Sequence, residues 1–224
     1  MSEMEAYSRE RKRMVDQQMV GRGIRDERVL EAMLAIPRHE FVPQDQVRRA
    51  YIDAPLPIGN HQTISQPYIV ALMTEFLNLK GHETVLEIGT GSGYQAAILG
   101  YLAKKVYSIE RIPELAERSR SLLRSLQLEN IEVVVGDGSC GLPEHAPYHA
   151  IIVTAAAPEV PKPLEAQLSE GGILVAPVGG RMGQVLELWR REKNKLVCEK
   201  LTPVAFVPLI GEHAWSEEGK SRRN

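Results

Sequence analysis

The sequence predicts an α/β fold with a Rossmann-like, doubly wound and mostly parallel seven-stranded sheet, an antiparallel C-terminal hairpin and N-terminal helices. Between residues 84 and 178, short runs rich in β-branched residues alternate with stretches whose apolar residues have helical spacing. That alternation is typical of a parallel sheet covered by helices on both faces. After Gly180 the pattern changes to two long strands around a polar turn at residues 193–195, which predicts the hairpin.

The N-terminal part, from residue 4 to 35, has apolar residues at helical spacing and a break at residues 21–23. Acidic residues balance its many arginines, so we interpret it as a solvated helical surface and not as a nucleic-acid face. Prolines are frequent from residue 36 to 67, which predicts short elements and long loops. Long loops that precede a regular core often carry binding groups.

The remaining elements follow from the same patterns. A helix at residues 69–79 leads into the alternating region. We predict strands at 84–88, 105–110, 131–135, 149–154 and 172–178, helices at 93–103, 113–126 and 162–169, and hairpin strands at 184–191 and 196–209. We expect a single domain over residues 1–215, with the helical segment at about residues 1–36, and a disordered polar tail at residues 216–224.

Composition limits the function classes. With 224 residues, 43% of them hydrophobic, the chain can bury one sizeable core. The formal net charge of -2 provides no positive field for a polyanion, so nucleic acid is not an expected partner. Since neither a signal peptide nor ~18 consecutive apolar residues occur, we expect a cytoplasmic protein with no membrane partner. Separately, we expect a monomer rather than an oligomer. Cys140 and Cys198 lack a paired spacing, so we expect buried, reduced thiols and no zinc site.

The central signal is the stretch 85–93, in which a buried strand runs into Gly89, Gly91 and Gly93 before a helix. Glycines at these positions allow a tight turn and let a ligand approach the backbone closely. A dinucleotide-binding turn would have its third glycine at Tyr94, so the spacing disfavours a nicotinamide cofactor. The sequence also lacks the G-x-x-x-x-G-K-[ST] pattern, which disfavours a nucleoside triphosphate.

Two acidic residues close the strands beside the glycine turn. Glu110 ends the second predicted strand, where its carboxylate can accept hydrogen bonds from both hydroxyls of a ribose. Asp137, between Gly136 and Gly138, follows the third strand, where it can accept a hydrogen bond from an adenine amino group. Because strand ends in an open α/β sheet meet at one crevice, the pattern predicts a ligand with ribose and adenine but without phosphate.

These features resemble the class I S-adenosylmethionine-dependent methyltransferases, in which a glycine loop, a ribose acid and an adenine acid follow in this order. The flanks are similar to those of the protein-L-isoaspartate O-methyltransferase family. The similar segments are residues 61–67 (His-Gln-Thr-Ile-Ser-Gln-Pro), 87–94, 136–138, 171–179 and 206–209. The resemblance extends from about the first helix to Gly211, and it departs at Ala205, where a larger, often basic, residue is expected.

The resemblance implies methyl transfer from S-adenosylmethionine to the free carboxylate of L-isoaspartyl residues in damaged proteins and peptides. The product would be S-adenosyl-L-homocysteine, the ester would collapse to a succinimide, and no metal would be needed. It implies Ser65 as the catalytic residue, and Ser65, Val207, Pro208 and Leu209 as substrate contacts. It assigns cofactor binding to Thr63, Ile64, Gln66, Glu87, Gly89, Thr90, Gly91, Ser92, Gly93, Glu110, Arg111, Asp137 and Gly138.

The implied chemistry needs no general base. A carboxylate with a pKa near ~4 is ionised at neutral pH, so the protein has to supply an in-line approach that is shielded from water. We therefore interpret Ser65 as a hydrogen-bond donor to the acceptor and not as a nucleophile. Methyltransferases that act on DNA amino groups commonly have Asn or Asp and two prolines after the fourth strand, and residues 154–158 do not match that pattern.

Other interpretations remain open. The chain could be a class I methyltransferase for a small molecule or RNA, a noncatalytic S-adenosylmethionine-binding module, or a nicotinamide-dependent oxidoreductase. A hydrolase built on His61 and Ser65 lacks the G-x-S-x-G turn, and Pro147 breaks the helix that a metal pair of His145 and His149 would need. We interpret the aromatic residues Tyr94 and Trp189 as core or rim packing.

Overall fold

The computed structural model describes residues 3–180, 182–193 and 195–217. Its N-terminal part is helical and turns at Gly23, whose φ of 99° is left-handed. The predicted helical segment with a break at residues 21–23 is thus confirmed, and the turn before the break is a π-helical one. The elements are α1 (Glu3–Met14), the π turn (Val15–Met19), a 3₁₀ turn (Val20–Arg22) and α2 (Glu27–Ala35).

The proline-rich segment forms short elements, as predicted. Two 3₁₀ turns, Arg38–Phe41 and Gln44–Arg49, precede a small antiparallel sheet of β1 (Leu56–Gly59) and β2 (Gln62–Ile64). The sequence did not predict this sheet, because its strands are short and one contains a proline. Asn60 and His61 between the strands both have positive φ, which is the geometry of tight hairpin turns.

The main sheet has seven strands in the order β5-β4-β3-β6-β7-β8-β9. The first five in this order are parallel, while β8 and β9 are antiparallel to their neighbours, so the predicted fold class is confirmed. The strand order reverses between β3 and β6, where α/β sheets open a crevice at their carboxyl ends. The strands are β3 (Thr84–Ile88), β4 (Lys105–Glu110), β5 (Ile131–Val135), β6 (Tyr148–Val153), β7 (Leu168–Gly180), β8 (Gly183–Glu192) and β9 (Lys195–Val204).

Helices cover both faces of this sheet. Alternate residues of one strand enter different cores: Val85 of β3 packs into the larger core, whereas Leu86 packs into the smaller one. The larger core also contains buried residues of the N-terminal helices and of three later helices, and the smaller core contains residues of the short last helix. These four helices are α3 (Pro67–Leu77), α4 (Tyr94–Leu102), α5 (Pro113–Ser125) and α6 (Lys162–Gln167).

The largest boundary difference is at the last strand, which was predicted to continue to residue 209 and ends at Val204. After Val204 the chain leaves β8, and from Val207 it pairs with the loop after β6. The backbone N–H of Ala156 donates to the carbonyl of Val207, and that of Leu209 donates to the carbonyl of Ala156, both at 2.8 Å. This departure carries residues 207–209 to the carboxyl end of the parallel strands.

Two further points concern expectations from composition. The cysteines are free, but the prediction that both are buried is wrong, since Cys140 is half-buried and Cys198 is exposed on β9. Of the predicted tail, residues 216 and 217 are described, and Glu217 forms an ion pair with Arg111. Residues 218–224 lie outside the described residues. Within the described part of the chain, no helix is long and apolar enough to cross a membrane.

Candidate active site

The glycine turn lies at the carboxyl end of β3, beside the reversal of strand order. Gly89 has a φ of 95°, and a Cβ at this position would lie 2.5 Å from the Oγ1 of Thr154. The Thr154 hydroxyl donates to the carbonyl oxygen of Gly89 at 2.7 Å. Only a residue without a side chain therefore fits at position 89. The hydrogen bond from Thr154 also fixes the glycine turn to the loop after β6.

Glu110 ties the end of β4 to this turn. One carboxylate oxygen accepts a hydrogen bond from the backbone N–H of Gly91 at 2.8 Å, and the other accepts one from the N–H of Ile112 at 2.9 Å. Its side chain is buried. Because each carboxylate oxygen has more than one acceptor position, both retain capacity for ligand hydroxyl groups.

Three buried polar side chains next to the glycine turn, those of Glu87, Thr90 and Ser108, are linked by hydrogen bonds. The Oγ of Ser108 donates to a carboxyl oxygen of Glu87 at 2.5 Å and lies 2.5 Å from the Oγ1 of Thr90. Burial is the main cause that raises the pKa of Glu87 to about 8; the Ser108 hydrogen bond opposes this rise and the nearby charge of Glu110 adds to it. Glu87 is therefore protonated at neutral pH, and it supports the turn from inside the sheet.

Asp137 has other partners. One carboxylate oxygen accepts hydrogen bonds from the N–H and the hydroxyl of Ser139, at 2.9 and 2.7 Å, and the other accepts from the N–H of Glu212 at 2.7 Å. Partial burial opposes ionisation, but these hydrogen bonds outweigh it and lower the pKa of Asp137. Gly211 lies so close to this carboxylate that any Cβ would overlap it. Asp137 thus holds the segment 211–212.

A central cavity opens at the strand ends. Its walls come from the small β1–β2 sheet, the glycine turn, the ends of the parallel strands and the segment after β9. The lining residues are Gln62, Thr63, Ile88, Gly89, Gly91, Ile109, Glu110, Arg111, Ile112, Gly138, Thr154, Ala155, Val207, Pro208, Leu209 and Ile210.

Two more cavities adjoin the central one. The outer cavity shares Arg111 and Ile210 with it and is lined by Asp137. The side cavity shares Thr63, Thr154 and Val207 with it. The other residues of the side cavity are Pro55, Ser65, Gln66, Ile69, Pro203, Val204, Ala205 and Phe206.

The predicted site residues are only partly brought together. Those that line the central cavity are Thr63, Gly89, Gly91, Glu110, Arg111, Gly138, Val207, Pro208 and Leu209. Ser65 and Gln66 line the side cavity, and Asp137 lines the outer one. The remaining predicted residues lie behind these walls or at the end of the turn, and they are Ile64, Glu87, Thr90, Ser92 and Gly93.

Sequence reasoning missed Thr154 as a site residue. Its position directly after the fourth parallel strand, at the same edge as Glu110, is a signal that could have found it. It also missed Gly211 and Glu212, which have no sequence signal, because their contact with Asp137 depends on how the chain returns after β9. Tyr94, predicted to be packing, is buried against Phe41 and lines none of the three cavities described above.

The arrangement is suited to an adenosyl ligand. Bare backbone at Gly89 and Gly91 allows close approach, and the Glu110 carboxylate on the cavity wall can accept hydrogen bonds from ribose hydroxyls. The side cavity meets this site across Thr63, Thr154 and Val207, so a second molecule can reach a group bound in the central cavity. The site can therefore bring two reactants together at one edge of the sheet.

Comparison with known proteins agrees with this chemistry. A family model described as protein-L-isoaspartate(D-aspartate) O-methyltransferase matches residues 9–214. A protein-L-isoaspartate O-methyltransferase of Methanoculleus marisnigri is 56% identical over 216 residues, which are 96% of this chain and 98% of the relative. A protein-L-isoaspartate O-methyltransferase of Methanoregula boonei is also 56% identical, over 93% of this chain and 96% of the relative.

Solved structures give the same result. A structure named protein-L-isoaspartate O-methyltransferase has a TM-score of 0.84 and 30% identity, over 91% of this chain and 67% of the other. A Plasmodium falciparum structure with that name, in complex with S-adenosyl-L-homocysteine, has a TM-score of 0.77 and 26% identity, over 89% of this chain and 97% of the other.

Fold and site together define a class I S-adenosylmethionine-dependent methyltransferase. Within that class, the chain belongs to the protein-L-isoaspartate O-methyltransferase family. The resemblance found in the glycine turn and its flanking segments is thereby confirmed.

Proposed function

We propose that this protein transfers the methyl group of S-adenosylmethionine to the free carboxylate of L-isoaspartyl residues in damaged proteins and peptides. The neighbouring backbone amide nitrogen then attacks the methyl ester, methanol leaves with the amide proton, and the resulting succinimide begins repair. The observation that carries this proposal is the pair of cavities that meet at Thr63, Thr154 and Val207. One is suited to the adenosyl group and the other is open to a peptide.

The cofactor would be held in the central cavity by the glycine turn and by Glu110, and it would supply an electrophilic methyl group. Of the acids assigned to the cofactor, Glu110 is the one on the cavity wall. Contacts of Asp137 with the adenine would have to come through the outer cavity, which joins the central one at Arg111 and Ile210. The backbone of the glycine turn would let the sulfonium of the cofactor approach closely, because Gly89 and Gly91 have no side chains.

The acceptor carboxylate needs placement and not activation. With an ordinary pKa near ~4 it is already ionised, so the protein has to align one oxygen with the methyl group and exclude water. Ser65 lines the side cavity and would donate a hydrogen bond to this carboxylate, leaving the other oxygen to attack. Val207 contacts both cavities, so the segment after β9 would hold the peptide beside the cofactor.

We also propose that residues 1–215 act as one domain and as a monomer in the cytoplasm, with neither nucleic acid nor a membrane as partner. Support for one domain comes from the larger core, in which Met14 and Met19 of the N-terminal segment pack in the same cluster as Val85 and Val106 of the sheet. The nearly even charge balance supports a partner that is not a polyanion.

The test is to incubate the protein with labelled S-adenosylmethionine and two peptides that differ only in Asp or isoaspartate at one position. We expect base-labile label on the isoaspartyl peptide alone, because the free carboxylate of isoaspartate is attached to its Cα, whereas that of aspartate is one methylene further out. Equal labelling of both peptides, or of neither, would refute the proposed substrate.

A further inference from the structure

The segment that carries Ser65 has little regular structure of its own. β2 ends at Ile64 and α3 begins at Pro67, so Ser65 and Gln66 form a two-residue connection between them. Gln66 occupies the position before α3 but makes no side-chain hydrogen bond to cap it. Something outside this connection must therefore fix it and satisfy the first N–H groups of the helix.

Asp53 supplies that support from a loop before β1. One carboxylate oxygen accepts a hydrogen bond from the Nε2 of Gln66 at 2.7 Å, and the other accepts one from the backbone N–H of Tyr68 at 3.4 Å. The Nε2 of Gln66 also donates to the backbone carbonyl of Asp53 at 3.2 Å. Asp53 thus acts as the missing cap of α3, and a carboxylate at a helix N-terminus is also electrostatically favourable.

Arg22 ties the same carboxylate to the N-terminal segment. Its guanidinium donates to Asp53 at 2.6 Å and lies 3.4 Å from the centre of the Tyr68 ring, so it contacts both partners at once. The side chain of Asp53 is 26% exposed, which leaves the ion pair partly shielded from water. The contacts run continuously from Arg22 through Asp53 to Gln66, the residue next to Ser65.

We propose that Asp53 is a positioning residue, which with Arg22 fixes the Gln66 side chain and the start of α3 and thereby holds Ser65 in the side cavity. This inference rests on the proposed function of Ser65 as the group that orients the acceptor. Asp53 itself lines none of the three cavities described above, so it acts through its neighbours. An error of about 1 Å in such placement can cost on the order of 100-fold in rate.

The experiment compares Asp53→Ala and Asp53→Asn with Asp45→Ala, a control at an exposed aspartate whose carboxylate accepts a hydrogen bond from the adjacent Gln46. For Asp53→Ala we expect kcat with an isoaspartyl peptide to fall by about 10- to 100-fold, with the Kd of S-adenosyl-L-homocysteine unchanged. Asp53→Asn keeps an acceptor for Gln66 or Tyr68 and should restore part of kcat. A merely structural role would change the Tm but leave kcat of the folded enzyme intact.

A second measurement does not depend on activity. Hydrogen exchange should become faster in Asp53→Ala across residues 64–69 and stay the same across residues 89–93. If exchange across residues 64–69 is the same in Asp53→Ala as in the wild type, the role of Asp53 is refuted. The role is also refuted if the wild type is active and Asp53→Ala has the same kcat. A wild-type protein without isoaspartate-dependent labelling would instead refute the proposed function, and the exchange result would still decide whether Asp53 fixes this segment.

Discussion

At the scale of residues, two acids in equivalent sequence positions have different surroundings. Glu110 is the last residue of β4 and Asp137 lies two residues after β5, and the sequence assigned both to one ligand. Glu110 binds the N–H of Gly91 and lines the central cavity, whereas Asp137 is held by Ser139 and Glu212 and lines the outer cavity. The sequence predicts that each acid lies at the end of a strand. The direction in which each carboxylate points depends on which backbone N–H groups are close enough to donate a hydrogen bond to it.

Glu110→Ala should therefore weaken cofactor affinity by about 1.5 to 3 kcal/mol, the range for a hydrogen bond to a charged group. The variant loses the ribose acceptor and also frees the N–H of Gly91, which loosens the turn. Calorimetric titration with S-adenosyl-L-homocysteine measures the change, with the exposed Glu114→Ala as the control. Equal affinity of the two variants would remove Glu110 from the site.

The raised pKa of Glu87 predicts that the stability of the protein depends on pH. Its pKa in the folded protein is about 8 against an ordinary value of 4.5, so between these values the folded state holds a proton that the unfolded chain has lost. The free energy of unfolding should fall as pH rises from about 4.5 to 8, by at most about 1.4 kcal/mol per pH unit.

The measurement is urea unfolding of the wild type and Glu87→Gln from pH 5 to pH 8. Glutamine keeps the size and a hydrogen-bond acceptor for Ser108 but does not titrate, so this component should be absent from the variant. The stability difference between the two proteins should change steadily with pH. Parallel curves would show that Glu87 is ionised throughout the range.

At the scale of elements, the helix after the glycine turn is placed by close packing against the edge strand. A Cβ added at Gly100 of α4 would lie 2.5 Å from the Cδ1 and 2.8 Å from the Cγ1 of Ile131 on β5. Helical periodicity predicted α4, but its distance from the sheet depends on this one small residue. Since α4 starts where the turn ends, its packing also sets the position of the turn.

Gly100→Ala should cost about 1 to 3 kcal/mol of stability, because overpacking outweighs the gain of up to about 1 kcal/mol that alanine brings to a helix. Ile131→Val in the same chain removes the nearer methyl group and should restore part of the loss. Urea unfolding of both single variants and the double variant measures the coupling. A net stabilisation by Gly100→Ala alone would show that the contact relaxes freely.

At the scale of the whole molecule, the N-terminal helices belong to the larger core and are not an added unit on its surface. Met19 is fully buried there, while the next residue, Val20, is 42% exposed. The sequence predicted the helices, but it did not show which of their faces is covered. The Arg22–Asp53 ion pair also joins this segment to the site.

Met19→Ala should lower the stability of the entire protein by about 2 to 5 kcal/mol, the range for methionine in a core. Val20→Ala is the matched control and should change stability by no more than about 0.5 kcal/mol. Thermal unfolding followed by circular dichroism should show one transition that moves as a unit in Met19→Ala. A second transition, with the main one unmoved, would contradict the single domain.

The sequence by itself determined the order of the strands and helices, the glycine turn, the acids at the strand ends and the family. These features are local, because the periodicity of apolar side chains and the conformational freedom of glycine are both determined by a few consecutive residues. Tertiary structure decided the small β1–β2 sheet, the departure of residues 205–209 from the last strand and the partners of Asp137. Those depend on contacts between residues far apart in the chain, whose energies no local pattern records.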